Sequence, residues 1–255
     1  MCRAFSCLVT RGNKVYWKTG VDCHEEVLKL YCDVDANLRD YKSPPFNTFA
    51  RVEIRPPKGD YLDRAFASWV YKVDERIRPD FLTEKHEELC REALMEWTKE
   101  VYAFNVEGAK NPVHPFKIDP PKITQYHVDL LDTWVSVWKS MKELLWESVH
   151  DSVRVSVGES VRVSVGGAVW ESVWDVVWAS VGKSTRESVA AYFGSLFPIK
   201  KWAHVNYENP LFKEGEYPFQ SAVDLWKIGL VPSFDRGRWR LHGGKDAGVL
   251  WEEKV

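Results

Sequence analysis

The chain has 255 residues, of which 45% are apolar, so it is long enough to bury the core of one large domain or two small ones. Acidic and basic side chains nearly balance at a net charge of −2, which argues against a protein that binds nucleic acid over its whole surface. Five cysteines without a secretory leader indicate a reduced intracellular chain. The sequence contains no run of about 18 apolar residues, so we expect no membrane-spanning segment. We therefore expect a cytoplasmic protein with no membrane partner.

The overall fold class predicted from the sequence is α+β, and residues 1–118 are expected to form an N-terminal α+β domain. Alternating runs at Phe5–Thr10 and Lys14–Lys18 flank a turn signal and predict a β-hairpin. A short helix is expected at Asp22–Tyr31. Strand-like alternation recurs at Thr48–Ile54 and Trp69–Val73.

The clearest helix of this domain is predicted at Leu82–Phe104. Apolar side chains recur there every four residues on an otherwise charged segment, which is typical of an amphipathic helix with one buried face. Asn111–Pro121 contains four prolines and reads as a linker, which predicts a domain boundary near residue 118.

Residues 135–194 form a phase-locked four-residue repeat of the form x-Ser-Val-x, with Val in eleven of the fifteen third places. A stripe with period four drifts by about 40° per step on an α-helix of 3.6 residues per turn. Such a helix must be covered on all sides, break into pieces, or widen locally toward π geometry. The alternative is a β-solenoid with one tetrad on each side.

Both conformations find support in the composition of this tract, which we assign to residues 119–197. Ser152–Val165 alternates like a hairpin, and Val, Ser and Gly are weak helix formers. In the same phase, Lys139–Glu147 and Glu187–Phe193 are helix-like. One phase through both kinds of sequence favours one conformation, so we expect a helical tract, with the β-solenoid as the open alternative.

A small C-terminal unit is expected at residues 198–255, packing on the tract. Leu225–Leu230 fits a helix or a strand, and Ser233–His242 predicts a hairpin that turns at Arg236-Gly237. The tract resembles the Ser-Val tetrapeptide arrays of uncharacterised bacterial and phage proteins, on the residues Glu147–Gly166 and Ala168–Gly182. This resemblance implies a bacterial or phage origin and an array of variable length, and it transfers no catalytic residue.

Three residues of the N-terminal domain are candidates for catalysis: Cys2, His24 and His86. Removal of Met1 would leave Cys2 with a free α-amine that can take its thiol proton, as in N-terminal nucleophile hydrolases. Class II glutamine amidotransferases begin Cys-Gly, whereas Arg3 follows here. The competing interpretation is that Cys2 simply begins an edge strand.

A weak metal-site candidate lies on the long predicted helix. His86 and Cys90 are four residues apart and share a helix face, and Cys23 with His24 would supply further ligands. Cys90 also lies beside the apolar stripe, where a free cysteine packs as a small hydrophobe. We therefore expect no metal and no other cofactor.

The C-terminal hairpin is a candidate for binding single-stranded nucleic acid, because basic side chains there accompany an aromatic ring. The candidate residues are Arg236, Arg238, Trp239, Arg240 and Lys245. The competing interpretation is a hairpin with charges on its outer face around a buried Trp239. Tryptophans at fourth tetrad places present the same choice between a binding ladder and core packing; they are Trp138, Trp146, Trp170, Trp174 and Trp178.

The function favoured by the sequence is that of a structural or interaction protein built around the tetrapeptide-repeat tract. Another protein is one class of partner that fits. Two alternatives remain open: a hydrolase or transferase with the Cys2 nucleophile, and a single-stranded nucleic-acid-binding protein that uses the hairpin.

Overall fold

The computed structural model describes residues 5–39, 48–141, 144–182 and 185–254, except the side chain of Asp175. In these ranges the fold is α+β, with helices and two antiparallel sheets and neither a barrel nor a solenoid. Each helix of the same ranges is too short or too polar to cross a lipid bilayer. The predicted α+β class is therefore confirmed.

Contacts divide the chain into two compact units. Unit 1 comprises Met1–Ala103 together with Arg154–Ser164 of the repeat tract. Unit 2 comprises Phe104–Val153 and Val165–Val255. The three-domain division expected from the sequence stays a prediction.

Unit 1 contains a four-stranded antiparallel sheet with the strand order β2-β1-β3-β4. The strands are β1 (Phe5–Thr10), β2 (Val15–Tyr16), β3 (Phe49–Arg55) and β4 (Val70–Val73). The predicted N-terminal hairpin and the two later strands are thus present, with boundaries that differ by at most two residues.

A helix packs against each face of this sheet. Because side chains of a strand alternate between the two faces, β1 contacts both helices. Leu8 joins a buried cluster with Val27 and Leu28 of α1 (His24–Tyr31). On the other face, the Phe5 ring lies 5.5 Å from the Trp97 ring of α2 (Glu84–Val101). The two helices predicted in this unit are confirmed.

Unit 2 combines helices with a three-stranded sheet in the order β5-β6-β7. The sheet consists of β5 (Leu230–Asp235), β6 (Arg238–Gly243) and β7 (Gly248–Lys254). The helices outside the repeat are α3 (Val106–Lys110), α4 (Gln125–Met141), which enters the first tetrads, and α9 (Gln220–Lys227). Arg236 and Gly237 join β5 to β6 with φ values of 49° and 74°, as a tight two-residue hairpin requires.

Beyond α4, most of the repeat residues that the structure describes are helical. They form α5 (Leu145–Val157), α6 (Glu159–Val169), a π segment (Trp170–Trp174), α7 (Asp175–Val181) and α8 (Arg186–Gly194). Third-place side chains are buried from Val137 to Val177 without exception. The four-residue stripe of valines therefore marks one buried side of the tract.

The β-solenoid, and the hairpin considered for Ser152–Val165, are wrong. A strand would place Val161, Val163 and Val165 on one face, because its side chains alternate with a period of two. Val161 and Val165 are buried, whereas Val163 is 53% exposed. A helix explains why residues four apart are both buried while the residue between them is exposed. A strand would bury or expose all three together.

Interruptions keep the stripe facing inward. Gly158 separates α5 from α6 with a φ of 82°. From Val161 to Val181 an ideal α-helix would rotate the stripe by about 200°. Each residue of a π turn rotates about 18° less than an α residue, so the five-residue π segment removes about 90° of this drift. Val181, at the end of the run, is the third-place valine that becomes half-buried.

Candidate functional site

A cleft of about 780 Å³ lies within unit 1. Its walls come from the loop before α1, the first turn of α1, strand β3, the segment that follows β3, Asp74 directly after β4, and residues 154–164 of the tract. This volume is in the range of small-molecule sites, which is about 300–1,000 Å³. The cleft is therefore the leading candidate site.

Asp22 joins the loop before α1 to the tract. Its Oδ2 accepts a hydrogen bond of 2.7 Å from the Ser160 backbone N–H, so a residue distant in sequence caps α6. Burial raises the pKa of Asp22, while the hydrogen bonds from Ser160 oppose that shift. A Cβ on Gly20 would lie 2.1 Å from the Val155 carbonyl oxygen, so only glycine allows this close approach.

His24, the first residue of α1, is held rigidly at the cleft. Its imidazole is 2% exposed, and Nε2 lies 3.0 Å from the Val52 carbonyl oxygen. Because a carbonyl can only accept, we assign the proton of the neutral ring to Nε2. Burial lowers the pKa of His24 and favours this neutral form. Nδ1 then points toward Asp74, whose Oδ2 lies 3.6 Å away.

Glu53 of β3 brings a second carboxylate to the same place. The residue is 7% exposed. One ligand atom each from His24, Glu53 and Asp74 lie within 4.8 Å of one another. In the described part of the chain, these three are the group that brings together enough His, Cys, Asp or Glu atoms to hold a metal ion.

An ion pair fixes the rim beside this group. The Arg51 guanidinium donates from Nε and Nη2 to the two carboxylate oxygens of Glu75, at 3.0 and 2.9 Å. The Arg51 backbone N–H also donates to Glu75 Oε1 at 2.9 Å, and the Asp74 N–H donates to the Arg51 carbonyl at 2.8 Å. These bonds fix the backbone of Asp74 and Glu75 relative to Arg51 of β3.

The sequence-predicted catalytic and metal candidates occupy different places. Cys2 lies outside the described residues. His86 closes the capping box of α2, where its Nδ1 accepts from the Thr83 N–H at 3.2 Å. Cys90 is buried beside Cys7, and the pKa of the Cys7 thiol is raised first by burial and then by the neighbouring Cys90. Cys23 and His24 both border the cleft, and His24 also belongs to the three-residue group.

The C-terminal hairpin carries its basic side chains in ion pairs. Arg238 and Arg240 donate to the two oxygens of Glu252 at 2.9 and 3.1 Å, and Arg240 reaches Asp235 at 3.2 Å. The Trp239 ring is buried, 5.3 Å from the Trp138 ring. Arg236 and Lys245 are exposed at turns.

The other fourth-place tryptophans form a half-buried aromatic cluster in unit 2. Trp170 and Trp174 stack at 5.2 Å, and Trp146 and Trp178 flank them at 5.3 and 4.8 Å. The Arg186 guanidinium lies 4.3 Å from the centre of the Trp146 ring. These rings therefore pack against each other as well as facing outward.

A second cavity, of about 590 Å³, lies in unit 2 between the tract and the three-stranded sheet. Ser233 Oγ lies 2.9 Å from His242 Nε2, and His242 Nδ1 lies 3.0 Å from the Ala247 carbonyl oxygen. Burial lowers the pKa of His242. The imidazole thus accepts from the serine hydroxyl and donates to the carbonyl, which satisfies both ring nitrogens.

Sequence reasoning missed Glu53 and Asp74. They come from β3 and from the residue after β4, 29 and 50 positions beyond His24, so no local spacing links them. The alternating stretch Arg51–Arg55 does place Glu53 on the polar face of a strand. Only the tertiary structure shows that this face is covered by α1.

Comparisons with known proteins give no relative: no protein-family model, no curated protein and no solved structure matches this chain.

Proposed function

We propose that the chain is an interaction protein whose tetrapeptide-repeat tract is a scaffold, and that this scaffold presents variable tetrad residues to a ligand in the unit 1 cleft. The observation that carries the proposal is that neighbouring positions within residues 154–164 differ in whether they are buried or line the cleft. Val157 and Val161, at third places, are buried. Arg154, Glu159 and Val163, at fourth and first places, line the cleft.

This arrangement supports a binding role because packing restricts the buried third places but does not restrict the residues that line the cleft in the same way. Buried third places maintain the helix against unit 1, so they must stay apolar and of similar volume. Arg154, Glu159 and Val163 line the cleft, so substitutions at these places would change its chemistry. Variation at these places would alter the ligand without altering the scaffold.

The charges of the cleft indicate the class of ligand. Five carboxylates and two guanidiniums lie among its described lining residues. An excess of carboxylates within a concave, partly desolvated surface attracts positive charge. We therefore expect a small organic cation rather than an anion.

The test compares two variants of identical tetrads. Val155 and Val163 both begin the sequence Val-Ser-Val-Gly and are 64% and 53% exposed, but only Val163 lines the cleft. In calorimetric titrations, spermidine should bind the parent chain and Val155→Trp, and binding should fall at least tenfold in Val163→Trp. Citrate serves as the anionic comparison.

Equal spermidine binding by Val155→Trp and Val163→Trp would contradict the proposal, since only one indole fills the cleft. Tighter binding of citrate than of spermidine would contradict the predicted ligand charge. Circular dichroism of both variants establishes that the helices are intact.

An enzyme is a second candidate function, favoured by the position of His24 at the wall of the cleft. The Cys2 nucleophile remains a prediction, and an intact mass that retains Met1 would exclude it. Nucleic-acid binding by the hairpin also remains a prediction, with less support, because Arg238 and Arg240 are already paired with acids. Single-strand binding that does not weaken with salt would exclude that alternative.

A further inference from the structure

Three side chains at the unit 1 cleft form a group that is separate from the repeat residues on which the proposed function rests. His24, Glu53 and Asp74 belong to α1, to β3 and to the loop after β4, and none of them comes from the repeat tract. We propose that these three side chains bind a divalent transition-metal ion, with Zn²⁺ as the ion that best fits the donor set.

The spacing of the donor atoms fits a small cation. In a tetrahedral site with bonds of about 2.1 Å, neighbouring ligand atoms are about 3.4 Å apart. His24 Nδ1 and Asp74 Oδ2 are 3.6 Å apart. All three ligand atoms lie within 4.8 Å of one another, so side-chain shifts of about 1 Å would bring them to tetrahedral spacing.

Glu53 supplies an independent reason to expect a cation. Its side chain is enclosed between the sheet and α1, and it is 7% exposed. One ligand atom of this carboxylate lies within 4.8 Å of a ligand atom of the Asp74 carboxylate, so two negative charges meet beside one neutral imidazole. Like charges at this distance repel each other, and a cation bound between them would remove that repulsion.

The position of His24 is that of a metal ligand whose second nitrogen is fixed by the fold. Imidazoles that bind metals donate their other N–H to a carbonyl or carboxylate, which sets the tautomer and aims the free lone pair. The Val52 carbonyl, at 3.0 Å from Nε2, plays this part. Val52 and Glu53 are adjacent on β3, so one strand fixes one ligand and supplies another.

The route to the ion is the cleft itself. His24 and Asp74 are lining residues, while Glu53 lies behind them. Three protein ligands leave a fourth position for water or for a molecule held in the cleft. The mixture of one imidazole and two carboxylates favours Zn²⁺ over Mg²⁺, which prefers oxygen ligands and retains its waters.

The experiment is a titration of the chelator-treated full chain with Zn²⁺, followed by calorimetry and by thermal unfolding. We expect one ion per chain and a rise in the melting temperature. Asp74→Asn and Glu53→Gln should each weaken binding by about 100-fold and abolish that rise. Asp33→Asn, an exposed carboxylate of the same unit, is the matched control and should leave both unchanged.

Folding and binding are separated by the Glu53→Gln variant. Removing one of two neighbouring carboxylate charges should leave the metal-free variant at least as stable as the parent chain. A loss of Zn²⁺ binding then reports the ligand set and not a damaged fold. Asp74 is half-exposed, so Asp74→Asn gives a second variant with little risk to folding.

Three results would overturn the proposal: no Zn²⁺ binding by the parent chain, binding unchanged in both carboxylate variants, or binding lost in Cys23→Ser but kept in those variants. The test is also distinct from that of the proposed function. Asp74→Asn leaves the tract intact, and Val163→Trp leaves all three ligands in place.

Discussion

The buried stripe of the repeat makes a prediction that separates helix from strand at the level of single side chains. Val161 and Val163 are two residues apart in unit 1 and differ chiefly in burial, since Val161 is 1% exposed and Val163 is 53% exposed. Val161→Ala removes two methyl groups from a close-packed interior. At about 0.8 kcal/mol per buried carbon, plus the cavity that remains, we expect a loss of about 2 kcal/mol.

The same truncation at the exposed position should cost much less. Val163→Ala removes side-chain atoms that are largely hydrated, and alanine has the higher helix propensity, so the change should stay within about 0.5 kcal/mol. Urea unfolding followed by tryptophan fluorescence and by circular dichroism measures both variants against the parent chain. The buried substitution should also lower the melting temperature by several degrees.

Equal destabilisation by the two substitutions would refute the helical phase. A strand places residues 161 and 163 on the same face, so it predicts similar costs for both. A larger cost for Val163→Ala would place the exposed position in the core and would invert the assignment of the stripe.

Further predictions concern backbone geometry and protonation. Gly158→Ala should destabilise by at least about 1 kcal/mol, because its φ is 82° and a Cβ would lie 2.3 Å from Asp22 Oδ1; Gly166→Ala, where a Cβ meets nothing within 4 Å, should be neutral or stabilising in the same urea assay. Burial lowers the folded-state pKa of His242 below its usual 6.5, so the unfolded chain takes up this proton first and stability falls as the pH drops below about 6.5. His242→Gln should flatten that part of the stability profile, and an unchanged slope between pH 7 and 5 would contradict the assignment.

Much of the fold follows from local patterns, because those patterns are set by the faces that the elements bury. The strands β1 and β3, the helix α2 and the hairpin at Arg236-Gly237 are all visible in alternation, helical periodicity and turn chemistry. The strict period of the tract also predicts that a helix must break or widen, and the structure contains both a break at Gly158 and a π segment.

Of the three residues in the candidate metal group, only His24 could be named from the sequence. His24 is conspicuous in the sequence, but nothing there distinguishes it from His86, which instead caps a helix through Thr83. Glu53 and Asp74 reach His24 through strand pairing and through the packing of α1, which are long-range consequences of the fold. Sequence spacing carries no information on such contacts.

The spacing of the interruptions limits how many tetrads can follow one another in this tract without a break. Each uninterrupted run accumulates angular error, about 120° over the three steps of α5 and about 110° from Val161 to Val181 once the π turn is counted. A run must end before its valines rotate out of the buried sector. Tetrads can therefore be added only together with a new reset, such as a glycine in the fourth place. In this chain, inserting a single tetrad into α5 should therefore disturb the buried stripe more than inserting a block that ends in its own reset.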